Sequence, residues 1–200
     1  TGTVRHGSSD VGDSHEKYKE VKLDLLSSEQ CQEFTENFFK KHGEIQVAVL
    51  TAGGFAMANI AATTTSDIHK QYQLNFETTY NMVRPIFLQM MKQKSGRIFL
   101  IGSRAGLDVS KAKGVTAYAL SKSLIFRLAE LMNAEAEGTD VVVSVIVPST
   151  IDTPENRIGM PDADFTTWVT PQQIADVIYF YSSQAANAIR QPVIKVYNKS

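Results

Sequence analysis

One cysteine, Cys31, in 200 residues excludes an intrachain disulfide. Its neighbours at helical spacing, Phe34, Phe38 and Phe39, mark it as a packing residue, and the chain reads as one made for a reducing cytoplasm. Charge of one sign is also missing. Twenty Lys and Arg against 21 Asp and Glu leave a net −1 at pH 7, which provides no basic excess for nucleic acid or an anionic membrane. A small molecule is the expected partner. No apolar run approaches the roughly 18 residues needed to span a bilayer, and the first residues carry no signal-peptide core, so a soluble protein is expected. His6, His15, His42 and His69 show neither close spacing nor cysteine pairs beside them, and no metal is expected. Internal repeats and low-complexity stretches are absent as well.

What is present is an alternation of short apolar runs with amphipathic ones, in a length that suits one domain over 1–200. Residues 21–25 alternate as a strand, and 28–42 follow as a helix ending before Gly43. Residues 45–50 form a short apolar run ending at Ala52-Gly53-Gly54, consistent with a buried parallel strand and a turn. A Thr-rich connection leads to a long amphipathic stretch over 66–91, with Ser66 as its expected cap and a kink at Pro85. Strand 97–101, helix 116–137, the nearly all β-branched strand 141–147, helix 171–183 and strand 193–197 complete the chain. Strands alternating with helices predict an α/β doubly wound, mainly parallel sheet with helices on both faces. Ligands in such sheets bind beyond the carboxyl ends of the strands, where Ala52-Gly53-Gly54, Ser103 and Pro148 fall.

Tyr118-Ala119-Leu120-Ser121-Lys122 places a phenol and an ammonium one turn apart on a helix face, and a fixed cation lowers the pKa of a neighbouring phenol. Alone this spacing is more often a surface pair. With Ser103 after the strand 97–101, Asn75 within an earlier helix and Pro148 after strand 141–147, it resembles the active site of the short-chain dehydrogenase/reductase family. The resemblance implies a Rossmann-like oxidoreductase that moves hydride between a nicotinamide and a small carbonyl or alcohol. Tyr118 would be the general acid/base, Lys122 would lower its pKa and bind the nicotinamide ribose, Ser103 would stabilise the oxyanion, and Asn75 would hold a water linked to the lysine. Ser103 is otherwise a turn serine and Asn75 a helix-surface amide.

The remaining cofactor positions follow from the same resemblance. Ala52, Gly53 and Gly54 resemble the family's Asn-Ala-Gly turn, with Thr51 in place of asparagine. Asp24 falls where the family places an acid beside adenine, and is otherwise a strand-end aspartate. Pro148 and Thr153 resemble the Pro-Gly-x-x-x-Thr segment lining the nicotinamide, with Ser149 in place of glycine and Thr153 on the carboxamide. The glycine-rich phosphate turn Thr-Gly-x-x-x-Gly-x-Gly is nowhere in the 200 residues. The first strand-helix unit of the fold is therefore expected to be missing, with residues preceding Thr1. If residues 3–6 end the second strand, Arg5 or His6 would meet the adenosine ribose, which favours NADP over NAD.

Asp152-Thr153-Pro154-Glu155-Asn156-Arg157, residues 160–165, Trp168, and Ala-Gly-Gly followed by Phe55 also resemble dihydropteridine reductases, although those enzymes lack the serine at position 103. Phe165 and Trp168 would stack on a planar substrate or pack the loop. A dihydropteridine reductase-like enzyme is thus the alternative within enzymes, and a non-catalytic nucleotide-sensing or scaffold protein the alternative outside them. The resemblance further implies a homodimer or homotetramer formed through helices 66–91 and 116–137.

Overall fold

A computed structural model describes the backbone of residues 2–4 and all of residues 19–190 and 192–199. Arg5 and His6, assigned above to the adenosine ribose, lie outside the described residues. Every strand pairing is parallel. Strands β1 (Gly2–Val4) and β2 (Glu20–Lys22) pair with each other, while β3 (Val47–Leu50), β4 (Ser95–Ile101), β5 (Asp140–Pro148) and β6 (Val193–Val196) form a sheet in that order. Strand β5 runs as an unbroken apolar and β-branched segment because both of its faces are covered. On one face Ile98, Leu100, Val141, Val143, Val145 and Val147 pack with Val83, Ile86, Phe87 and Met90 of helix α3 (Thr78–Gln93) and Ile125, Phe126 and Met132 of helix α5 (Thr116–Glu135). On the other, Phe99, Ile146 and Ile194 meet Ile174, Val177 and Ile178 of helix α7 (Pro171–Ser182).

The amino ends of β4 and β5 are tied together by a buried guanidinium. Arg97 donates to the Asp140 backbone carbonyl at 2.6 Å and to its carboxylate at 3.1 Å, and Arg190 reaches the same carboxylate at 2.8 Å. This clamp lies at the edge opposite to the conserved geometry of ligand binding in parallel sheets, leaving the carboxyl edge to carry the chemistry.

The stretch 66–91 differs from its expected form. Helix α2 (Thr65–Tyr72) is capped by Thr64, not Ser66, through a reciprocal box in which the Asp67 carboxylate accepts the Thr64 N–H while the Thr64 hydroxyl accepts that of Asp67. A π turn, Gln73–Glu77, then separates α2 from α3, and the Thr78 N–H reaches the Gln73 carbonyl five residues back. Helix α3 continues through Pro85. Helix α5 ends at Glu135, two residues before the expected end, and Gly138 follows at a φ of 80°.

Among the described residues the parallel strands fall into two groups, β1-β2 and β3-β4-β5-β6. Among the described residues β3 has no strand on its outer edge, and a trough of about 570 Å³ runs there, lined by Val47 and Val49, by Phe34 and Phe38 of helix α1 (Ser28–His42), and by Met82 and Ile86 of α3. Its upper end opens at Thr51, Ala52 and Gly53. Cys31 is fully buried at the base of α1, and burial pushes its thiol up to about 11, so it stays protonated at neutral pH.

Candidate active site

The π turn carries Asn75, which is fully buried. Such a turn widens the helix and re-aims one side chain, a feature found often at functional sites. The Asn75 side-chain Oδ1 accepts the Gly54 N–H at 2.9 Å, and its Nδ2 donates to Gln71 Oε1 at 3.0 Å and Ser121 Oγ at 3.1 Å. Three partners from three segments leave one orientation for this amide. Ser121 in turn donates to the Tyr118 carbonyl at 2.8 Å, joining the π turn to the helix that bears the tyrosine.

Gly53 sits against this cluster without a side chain. A Cβ there would stand 2.7 Å from Asn75 Oδ1 and 3.3 Å from Lys122 Nζ, so the amide oxygen and the ammonium face the same small volume. Lys122 is 5% exposed and donates to the Ile101 carbonyl at 2.8 Å. Burial pulls its pKa down to about 8.

Ser103 and Tyr118 meet beyond the end of β4. The buried Ser103 accepts the Gly106 N–H at 3.0 Å as the cap of the short helix α4 (Arg104–Leu107), which leaves its hydroxyl proton free to donate. Its hydroxyl lies near enough to the Tyr118 phenol to favour the ionised form. The sequence led us to expect a lowered Tyr118 pKa under the influence of Lys122. In the structure burial holds the phenol above its ordinary value, and the nearby Ser103 side chain only partly opposes that shift. The cause is the dry setting of the phenol.

The other expected residues are more dispersed. Pro148 ends β5 and is buried beside Val196. Ser149 has no left-handed backbone; its N–H donates to the Val196 carbonyl and its hydroxyl to that of Tyr197, so the position needs no glycine. Thr153 accepts the Asn156 N–H at 3.3 Å at the start of α6 (Pro154–Gly159), retaining a proton to donate. Ala52 and Asp24 both line the trough, and the Asp24 carboxylate accepts the Leu26 N–H at 3.0 Å within a turn after β2. Trp168 is 5% exposed and packs on Phe165 at 4.8 Å between ring centres, so it serves the loop. Arg157 spans the same loop, bound through two nitrogens to Asp152 and lying 4.8 Å over the Phe165 ring.

Sequence reasoning missed Gln71 and Ser121. Gln71 is buried one helical turn before Asn75, and a polar residue at i−4 of a candidate site amide was the available signal. Gly106 was missed as well; a Cβ there would meet the Lys122 carbonyl carbon at 2.7 Å, so its smallness lets α4 lie directly on α5. Among the described residues no group of three metal-ligating side chains converges, and no helix is long and apolar enough to cross a membrane.

Residues 3–160 match the family model described as short chain dehydrogenase. The chain is 25% identical over 183 residues to a 3-oxoacyl-[acyl-carrier-protein] reductase of Thermotoga maritima, covering 87% of this chain and 73% of that protein. It is 27% identical over 166 residues to the oxidoreductase UcpA of Salmonella typhimurium, covering 76% of this chain and 63% of that protein. The fold is similar to that of a gluconate 5-dehydrogenase from Burkholderia cenocepacia solved with NADP and tartrate, at a TM-score of 0.79 and 18% identity over 90% of this chain and 73% of that one. With the family model matching more than half of its length, and with its parallel sheet and helices on both faces, the chain belongs to the short chain dehydrogenase family of oxidoreductases.

Proposed function

We propose that the protein is an NAD(P)-dependent oxidoreductase acting on a small carbonyl or alcohol, with Tyr118 as its general acid/base. The observation that carries this reading is the continuous polar path from Gly54 through Asn75 and Ser121 to the helix of Tyr118, with the Lys122 ammonium facing the same Gly53 backbone as the Asn75 amide. The residues present fit a nicotinamide dinucleotide: the trough beside β3 opens at Thr51, Ala52 and Gly53, and the bare Gly53 backbone there lies against the Asn75 amide oxygen and the Lys122 ammonium. When bound in reduced form the dinucleotide supplies the hydride that reaches the carbonyl carbon.

Tyr118 gives its proton to the carbonyl oxygen as that oxygen becomes an alcohol, and takes it back in the reverse direction. A phenol held above its ordinary pKa is fully protonated at neutral pH, the form that reduction requires. Ser103 donates to the same oxygen as charge develops on it. Lys122 faces the Gly53 backbone, where it would hold the nicotinamide ribose, and the Asn75 amide lies against the same backbone. Asp24, Ala52, Pro148 and Thr153 would line the dinucleotide, with NADP preferred to NAD. One domain over 1–200, and assembly of identical chains through α3 and α5, complete the proposal. Exposed Leu88, Leu120, Leu124 and Leu131 on those helices support the assembly.

The test is oxidation of NADPH and NADH by the purified protein with a panel of ketones, aldehydes and quinonoid dihydropterin, beside Tyr118→Phe. We expect turnover with at least one carbonyl and a loss of about 100-fold or more in kcat in the variant. Turnover of dihydropterin alone would favour the dihydropteridine reductase-like alternative. Dinucleotide binding with no rate on any substrate, in either protein, would replace the enzyme with a nucleotide-sensing one.

A further inference from the structure

We infer that residues 51–64 form an apolar platform beside Tyr118, with Phe55 as its specificity-determining residue, for substrates whose carbonyl is attached to an uncharged aromatic or alkyl body. This rests on the reading of Tyr118 as the proton donor and adds the class of substrate. The ring of Phe55 meets that of Tyr118 edge-on, with centres 4.9 Å apart and planes at 78°. Phe55 is nevertheless 62% exposed, so most of its surface faces away from its one aromatic partner.

The segment has a composition to match. From Thr51 to Thr64 there is no charged residue, and Met57 and Ile60 are exposed along with Phe55. Water-exposed apolar side chains in one segment are a feature of binding surfaces when the backbone beneath them is fixed. Here it is fixed at both ends. Gly54 is held by the Asn75 amide oxygen, and Ala58 accepts the Thr116 N–H at 2.9 Å and bridges to Val115 at the start of the Tyr118 helix. The exposed ring is thereby carried on the same rigid support as the phenol. From the connection after β5, at the same edge of the sheet, Ile158 and Met160 are also exposed.

A substrate that places its carbonyl oxygen at the Tyr118 hydroxyl brings the groups on its carbonyl carbon toward the flank where Phe55 lies. An aromatic or alkyl group there removes apolar surface from water on both partners, whereas a charged or heavily hydroxylated one loses hydration without compensation. Specificity then resides in Phe55 and chemistry in Tyr118.

The test compares acetophenone with dihydroxyacetone, as kcat/KM, in the unaltered protein, Phe55→Ala, Phe55→Leu and Tyr118→Phe. We expect the acetophenone to dihydroxyacetone ratio to fall about tenfold in Phe55→Ala and to recover in part in Phe55→Leu. A change of less than twofold overturns the platform. If Tyr118→Phe abolishes turnover while the Phe55 variants keep the ratio, only the platform fails; if Tyr118→Phe leaves turnover unchanged, the proton-donor reading fails and the platform with it. Saturation-transfer NMR of acetophenone reads the same surface without catalysis, and transfer that Phe55→Ala weakens about fivefold supports it. Absence of transfer to the unaltered protein overturns it, as does a Phe55→Ala variant that changes the oligomeric state in light scattering and leaves the ratio alone.

Discussion

Lys122 is the side chain whose environment has the widest consequences. An ammonium buried to 5% exposure, with its pKa down at about 8, is a charge that the folded state carries at a cost. The sign follows from linkage: below about pH 8 the lysine is charged in both folded and unfolded chains and the penalty is complete, and the penalty fades as pH rises toward the unfolded value near 10.4. Lys122→Met should therefore stabilise the protein at pH 7, with the gain shrinking by about 2 kcal/mol between pH 7 and pH 9.5. Urea denaturation of both proteins at the two pH values measures this, and a gain independent of pH would mean that the site is wetter than its geometry indicates. The same variant should lose reductase activity, so the residue trades stability for function.

At the level of elements, the close approach of α4 to α5 depends on Gly106. A Cβ there would lie 2.7 Å from the Lys122 carbonyl carbon and 2.9 Å from the Ser123 nitrogen, backbone atoms that cannot rotate aside. Gly106→Ala should cost about 2 kcal/mol in equilibrium unfolding and displace Ser103 relative to Tyr118. Strands β4 and β5 were legible in the sequence because both of their faces are buried and their apolar runs are continuous. Strand β2, expected over 21–25, is shorter and starts one residue earlier: among the described residues 20–22 pair with β1, and Asp24 holds a turn. Tyr118, Lys122 and Ser103 were legible because a one-turn spacing and a strand end fix their places locally. The bonds of Asn75 to Gly54 and Ser121 join residues 21 and 46 positions apart, and no local pattern announces them.

For the whole molecule, the apolar leucines left exposed on α3 and α5 predict that the protein in solution is a homodimer or homotetramer, and light scattering giving a single chain's mass would refute this. The mainly parallel sheet expected from the sequence is present, with β1-β2 set apart from β3-β4-β5-β6, and among the described residues no strand pairs with the outer edge of β3, where the trough lies instead. The π turn at 73–77 acts on this scale too. Each residue of an α-helix advances the chain by about 100° around its axis, so the one residue added by the turn sets α3 out of phase with α2 by that angle. The two helices can then bury different faces, Gln71 toward the site and Val83, Phe87 and Met90 toward the sheet, although they share one nearly continuous axis of chain. A single-residue deletion within 73–77 would straighten the helix only by rotating one of these faces away from its partner. The length of this segment is thus a clock setting, in which the count of residues matters independently of their identity.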